Sequence, residues 1–309
     1  MKLLLMLFLS LVAAASFGQT KQMAVTVDDL PTVVYSKETP DFHMGIAQQL
    51  IDTFERYDIP AIGYVNEGKL YTNGTLDSSQ VDILELWVAN GYELGNHTFS
   101  HASYHRLPFQ QYSAEVLNGA KYSRMLSDKY NRSFTYFRHP FLHIGTSKKK
   151  ADSLSRFLNK QGYIEAPVTI DNEDYIFAKA YHIAYSKGDN ALMGKIGKAY
   201  VSYMVDKVKY FEWASKQLFD RNIAQTLLIH ANLLNAHCLD DLAEAYQELG
   251  YEFISQSKVL EDEAYQEPIT KYGSWGISWI DRWALSRGKK GDFFEKDPRT
   301  PEFVKALAQ

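Results

Sequence analysis

From about residue 22 onward, short apolar runs alternate with longer amphipathic stretches. MAVTV (23–27) reads as a buried strand. PAIGYV (60–65), YELGNH (92–97), FTYFRHP (134–140), YIEAPVT (163–169), QTLLIH (225–230) and YEFISQ (251–256) read the same way. Between them, HMGIAQQLIDTFERY (43–57) sets Ile46, Leu50, Ile51 and Phe54 at helical spacing, and SSQVDILELWVAN (78–90) runs as a helix to a stop at Gly91. Further helices are predicted over about 110–127, about 147–160 and 239–250, with one or two over 190–221. Such alternation predicts mostly parallel strands joined by helical crossovers, an α/β fold in a single domain over 19–309. Residues 262–309 leave the rhythm. They hold YGSWGISWIDRW (272–283), expected to pack as a tail across the domain surface, with substrate contact by Trp275, Trp279 or Trp283 as the alternative.

The N-terminus carries Lys2, an apolar run to Ala15, and then small residues. This is the pattern of a signal peptide over 1–18 with cleavage after Gly18. The run is shorter than the roughly 20 residues of a spanning helix, and no later segment is apolar for as long. An exported chain, periplasmic or secreted, with no stable membrane span is therefore expected. The single cysteine, Cys238, allows no internal disulfide and reads as a small core residue.

The 309 residues are 46% hydrophobic and 23% charged, enough to bury a core. A net charge of −4 gives no reason to expect nucleic acid. The 21 tyrosines suit a carbohydrate-facing surface and equally suit ordinary packing. No feature predicts a protein partner.

The candidate chemistry lies where predicted strands end. Asp28 and Asp29 follow MAVTV, His97 follows YELGN, Arg138 and His139 end FTYF, and His230 ends QTLLI. Ligand sites in parallel βα architectures form at the C-terminal ends of strands, so four strand ends deliver ionisable groups to one face. Leu30-Pro31 is expected to end the first strand and so let both acids approach one site. His97, His101 and His105 recur at steps of four. On a helix, His97 and His101 would share a face and could share a metal ion, with His105 a turn too far.

Five short motifs occur in order: T-x-D-D-x-P (26–31), H-T-x-x-H (97–101), R-x-P-F (138–141), D-x-x-D-Y (171–175) and L-x-I-H (227–230). This series resembles the polysaccharide deacetylase family, the carbohydrate esterases related to chitin and peptidoglycan deacetylases, over about residues 22–255. The resemblance implies a distorted (β/α)7 barrel. It implies a divalent metal held by Asp29, His97 and His101, with Asp28 as base and His230 as acid. Arg138 would orient the base and Asp174 would tune the acid. The Phe141 N–H would help hold an oxyanion, and Tyr175 and Leu227 would line an acetyl pocket. The donor set suits Zn²⁺ first, with Co²⁺, Ni²⁺ or Mn²⁺ as alternatives. Three departures bear on the substrate: Leu30 where the family has Gly, Tyr175 where it has Trp, and Asn232 and Asn235 close to the acid. Leu30 is expected to reshape the mouth of the site.

The implied activity is hydrolysis of N-acetyl or O-acetyl groups on a carbohydrate. The alternatives are a hydrolase of a non-sugar amide or imide on the same fold, and a carbohydrate-binding protein without catalysis. Two His and a carboxylate also make the iron site of oxygenases; the second Asp, His230 and the βα alternation argue against that reading.

Overall fold

A computed structural model describes residues 20–309; the expected signal peptide, 1–18, lies outside the described residues. The described residues form nine strands: β1 (Lys21–Val33), β2 (Ile62–Val65), β3 (Tyr71–Thr72), β4 (Thr75–Leu76), β5 (Glu93–Asn96), β6 (Tyr136–Phe137), β7 (Ile164–Glu165), β8 (Gln225–Asn232) and β9 (Tyr251–Phe253). Apart from the small β3–β4 hairpin, all pair in parallel. The main sheet runs β7-β6-β5-β2-β1-β8, with β9 on the first residues of β1. Just past β7, Ile170 bridges to Leu227 of β8. The sheet therefore curls toward closure, and the fold is the distorted (β/α)7 type.

Eight main helices cover its outside: α1 (Pro40–Arg56), α2 (Ser78–Ala89), α3 (Phe109–Asn118), α4 (Lys121–Lys129), α5 (Lys148–Lys160), α6 (Asp174–Ser186), α7 (Asn190–Phe219) and α8 (Leu233–Glu248). Val25 and Val27 of β1 are buried, as are Ile46, Leu50, Ile51 and Phe54 of α1, the positions that the spacing predicts. Three elements differ from expectation. The predicted helix over 110–127 is two, because Gly119 lies against the backbone of Thr98 and Phe99, where a Cβ would sit 2.5 Å from Thr98 C. The helix α6 was not predicted, since its apolar spacing starts inside the fourth motif. α8 starts before residue 239 because the Asn232 side chain caps it, accepting from the Asn235 N–H at 2.9 Å. The stretch 190–221, expected as one or two helices, forms one, which ends at Asp220 in a left-handed conformation.

The C-terminal segment is not a surface tail. After α9 (Gln256–Val259) it contains α10 (Trp279–Ser286), α11 (Asp292–Glu295) and α12 (Glu302–Leu307). Trp279 and Trp283 are core residues, and only Trp275 of the three is exposed. The Trp279 N–H donates to the Val168 carbonyl at 2.7 Å, tying α10 to the segment just before the Ile170 bridge. Cys238 is buried, as expected. Among the described residues no helix is long and apolar enough to cross a membrane.

Candidate active site

β1 does not end at Leu30-Pro31. It continues to Val33 through an irregularity, where its pairing with β2 and with β8 shifts register. Adjacent residues on a regular strand face opposite sides. Here Asp29 adopts φ 69°, and this bulge brings both carboxylates to one cleft. The Lys69 ammonium donates to the carbonyls of Asp29 (2.7 Å) and Thr32 (3.3 Å), bracing the bulge from the loop after β2. Leu30 does not reach the mouth of the site. It is fully buried and fills the space over Gly63, where a Cβ would lie 2.1 Å from Leu30 Cδ1.

His97 and His101 do not share a helix. They lie in the loop after β5, with Thr98 at φ 66° and His101 at φ 55°. The turn is set locally: the Asn96 side chain accepts from the Thr98 N–H at 2.8 Å, and the Phe99 N–H donates to the Glu115 carbonyl of α3. The loop folds His101 back over His97, ring centroids 4.9 Å apart. Each Nε2 lies 3.5 Å from Asp29 Oδ1, and the three donor atoms lie within 4.8 Å of one another. His97 Nδ1–H donates to the Arg138 carbonyl at 2.9 Å, which leaves its Nε2 lone pair toward Asp29. Burial, aided by His101, holds His97 well below the usual imidazole range; burial also lowers His101. Burial pushes Asp29 upward, but Lys69, His101, His230 and His97 outweigh it and hold the carboxylate well below its usual range. Asp29 Oδ1 is buried without a hydrogen-bond partner. Two neutral imidazoles and an ionised, unpartnered carboxylate oxygen fit a divalent cation. His105 lies apart, stacked on His143 with centroids 3.8 Å apart.

Asp28 faces the same place from the other side of the bulge. Its Oδ2 lies 3.8 Å from His97 Nε2 and 3.6 Å from Arg138 Nη1. Arg138 is fully buried, donates to Thr26 Oγ1 at 3.0 Å, and stacks over Tyr64. Burial raises the Asp28 carboxyl to about 6, against the opposing pull of Arg138 and His230.

On β8, Leu228 and His230 face the cleft. Asp174 Oδ1 accepts from His230 Nδ1–H at 2.6 Å, and its Oδ2 accepts from the His230 backbone N–H at 2.9 Å. Asn235 donates to the same Oδ2 at 2.8 Å and is itself held by the Tyr200 hydroxyl. The two asparagines noted in the sequence thus support the carboxylate behind His230. Burial opposes charge on His230, but Asp174 outweighs it and raises the imidazole to about 9.

A cleft of about 590 Å³ is lined by Asp28, Asp29, His97, His101, His230, Phe141 and Tyr175, together with His139, Leu228 and Gly276. Nine of the ten expected site residues lie in it or contact a residue that does. The exception is Leu227, fully buried on the opposite face of β8; its neighbour Leu228 takes the cleft position. The alternation of a strand, counted back two from His230, is the signal that would have found it. Lys69 and Gly276 carried no such signal.

No curated protein sequence matches the chain. Among solved structures, a mutant of BA3943, a CE4 family pseudoenzyme from Bacillus anthracis, is similar at TM-score 0.51 and 13% identity, over 78% of this chain and 68% of its own. A mutant of the same protein with restored enzymatic activity gives 0.50 at 13% identity over the same shares. The Bc1960 peptidoglycan N-acetylglucosamine deacetylase gives 0.50 at 12% identity, over 78% of this chain and 88% of its own. At these identities the likeness is one of fold. Residues 17–157, which carry the Asp28–Asp29 pair, His97, His101 and the loop from Arg138 to Phe141, match the polysaccharide deacetylase family, in agreement with the resemblance read from the motifs over that part of the chain.

Proposed function

We propose that the protein is a metal-dependent hydrolase that removes acetyl groups from a carbohydrate, N-acetyl first and O-acetyl as the alternative. One observation carries the reading. A single cleft holds a cation-ready Asp29–His97–His101 cluster, an unpartnered carboxylate oxygen on Asp28, and an imidazole, His230, clamped by a buried carboxylate.

Amide hydrolysis needs an activated water, a stabilised oxyanion and a proton for the leaving amine. A divalent cation held by Asp29, His97 and His101, Zn²⁺ by the donor set, would supply Lewis acidity toward water and the acetyl carbonyl. Asp28 takes the proton of the attacking water, and Arg138 keeps its carboxylate turned toward the cleft. The Phe141 N–H donates to the developing oxyanion. His230 gives its proton to the leaving nitrogen, with Asp174 fixing the tautomer and favouring the charged ring. Tyr175 and Leu228 border the space for the acetyl group. The leader pattern at 1–18 supports an exported site of action, periplasmic or secreted.

Non-catalytic carbohydrate binding is disfavoured by His230, because binding alone does not need an imidazole held charged by a buried carboxylate. The test is a substrate panel with Zn²⁺-reconstituted protein: N-acetylglucosamine oligomers, peptidoglycan, O-acetylated xylan, and N-acetylated compounds without a sugar. Acetate from the sugars supports the proposal. Acetate only from the compounds without a sugar moves the assignment to a non-sugar amide hydrolase, and none from any of them sinks deacetylation.

A further inference from the structure

The loop that carries Phe141 is held in an unfavourable shape. Phe141 (φ 57°) and Leu142 (φ 54°) are consecutive left-handed residues, neither of them glycine. Such a conformation persists only where the surroundings over-determine it. Part of the restraint is local: the Leu142 and His143 N–H groups donate to the carbonyls of His139 (2.9 Å) and Pro140 (3.1 Å). Ser103 Oγ lies 2.8 Å from His143 Nδ1, and His105 stacks on the His143 ring.

The rest comes from the far end of the chain. Arg282, fully buried on α10, donates through Nη2 to the Leu142 carbonyl at 2.7 Å and to the Trp275 carbonyl at 3.2 Å. One guanidinium nitrogen thus joins the strained loop to segment 275–282. Gly276 then lies flat against the loop. A Cβ there would meet the Phe141 carbonyl oxygen at 2.1 Å and His143 Nε2 at 3.3 Å. Gly276 also lines the catalytic cleft. α10 can bear this role because it is anchored on both sides, by the Trp279 N–H on Val168 and by Trp283 Nε1–H on the Glu267 carbonyl at 3.0 Å. Gly276, Arg282 and the anchors of α10 all lie beyond residue 157, where the family match ends.

We propose that segment 275–282 is a working part of the active site, in which Gly276 and Arg282 are positioning residues that hold loop 138–143 and so aim the Phe141 N–H at the reacting carbonyl. The inference rests on the deacetylase reading only for what the loop is aimed at; the clamp itself is a statement about this fold. Substrate contact through its tryptophans was the alternative expectation for the terminal segment. Its contribution comes instead from Gly276, which has no side chain, and from the buried Arg282 guanidinium.

The test compares Gly276→Ala, Arg282→Met and Arg282→Lys with the wild type in three measurements. These are amide hydrogen exchange over 139–145, Zn²⁺ affinity by chelator competition, and kcat and KM for acetate release. Gly276→Ala should speed exchange in 139–145, leave Zn²⁺ affinity unchanged, and lower kcat by ~10–100-fold with KM little altered, the scale expected when a catalytic group is displaced by about 1 Å. Arg282→Lys, which keeps a donor to Leu142, should recover part of what Arg282→Met loses. If Arg282→Met does not fold, Gly276→Ala decides alone. Wild-type exchange and kcat in Gly276→Ala would overturn the clamp, and so would a loss of Zn²⁺ affinity in step with kcat, which marks a general loosening. If the wild type releases no acetate, the deacetylase reading fails, and the exchange over 139–145 still decides the clamp.

Discussion

Asp174 grips His230 at two points, its Oδ1 2.6 Å from the ring Nδ1 and its Oδ2 2.9 Å from the backbone N–H. The carboxylate is fully buried, and Asn235 holds its second oxygen. A pair held this way fixes the tautomer, the ring orientation and the charge of His230 together.

A pH dependence follows. Burial would lower the His230 imidazole, but Asp174 outweighs it and raises the group to about 9. An acid works only while protonated, so His230 is competent at neutral pH and is lost as the pH rises through about 9. The alkaline limb of kcat should fall there. In Asp174→Asn the largest raising charge is gone, while burial and the weaker pull of Asp29 and Asp28 remain, so the limb should move down from about 9. Turnover at neutral pH should drop by about 10²-fold or more. A limb that stays in place would remove Asp174 from this role.

Asp28 and Asp29 should separate cleanly despite being neighbours. Asp28→Asn should keep Zn²⁺ binding and lose turnover by roughly 10²–10⁴-fold. His97→Ala removes one of the three donors of the Asp29–His97–His101 cluster and should lose both. Calorimetric titration of Zn²⁺ alongside kcat distinguishes the two; equal loss of metal in both variants would merge their roles.

Arg138 is a stability prediction as well as a catalytic one. It is buried opposite Asp28, with Nη1 3.6 Å from Oδ2. Arg138→Met strips a buried carboxylate of its cation, which typically costs about 3–5 kcal/mol. Urea unfolding of the variant should show a loss of at least the lower end of that range.

The frame of the site was legible because its residues follow short apolar runs, where a polar group begins. Asp28 follows MAVTV, Arg138 follows FTYF and His230 follows QTLLI. What was not legible was backbone that departs from a period. His97 and His101 meet through two left-handed residues of a loop, although a four-residue spacing reads as a helix. The two acids meet through a bulge within β1 rather than through a strand end at Pro31. Leu30 seemed placed at the mouth only because its contact, Gly63, lies on another strand. Long-range packing of this kind, like that of Gly276 on Phe141, leaves no local pattern to read.

Leu227 and Leu228 test the strand register directly. Leu227 is fully buried away from the cleft, so Leu227→Ala should cost about 2–5 kcal/mol with little change in KM. Leu228 lines the cleft, so Leu228→Ala should change KM and the preference between acetyl and longer acyl groups. Thermal unfolding and acyl-chain kinetics on the two variants give opposite patterns if the register holds.

The central claim is that one cleft combines a cation site, a base and an acid for acetyl hydrolysis. Its most direct test is acetate release from N-acetylglucosamine oligomers by metal-stripped protein, by the same protein after Zn²⁺ is restored, and by Zn²⁺-loaded Asp28→Asn. The account predicts no acetate from the stripped protein, release on adding Zn²⁺, and a loss of roughly 10²–10⁴-fold in Asp28→Asn. Release that ignores Zn²⁺, or that is unchanged in Asp28→Asn, would contradict it.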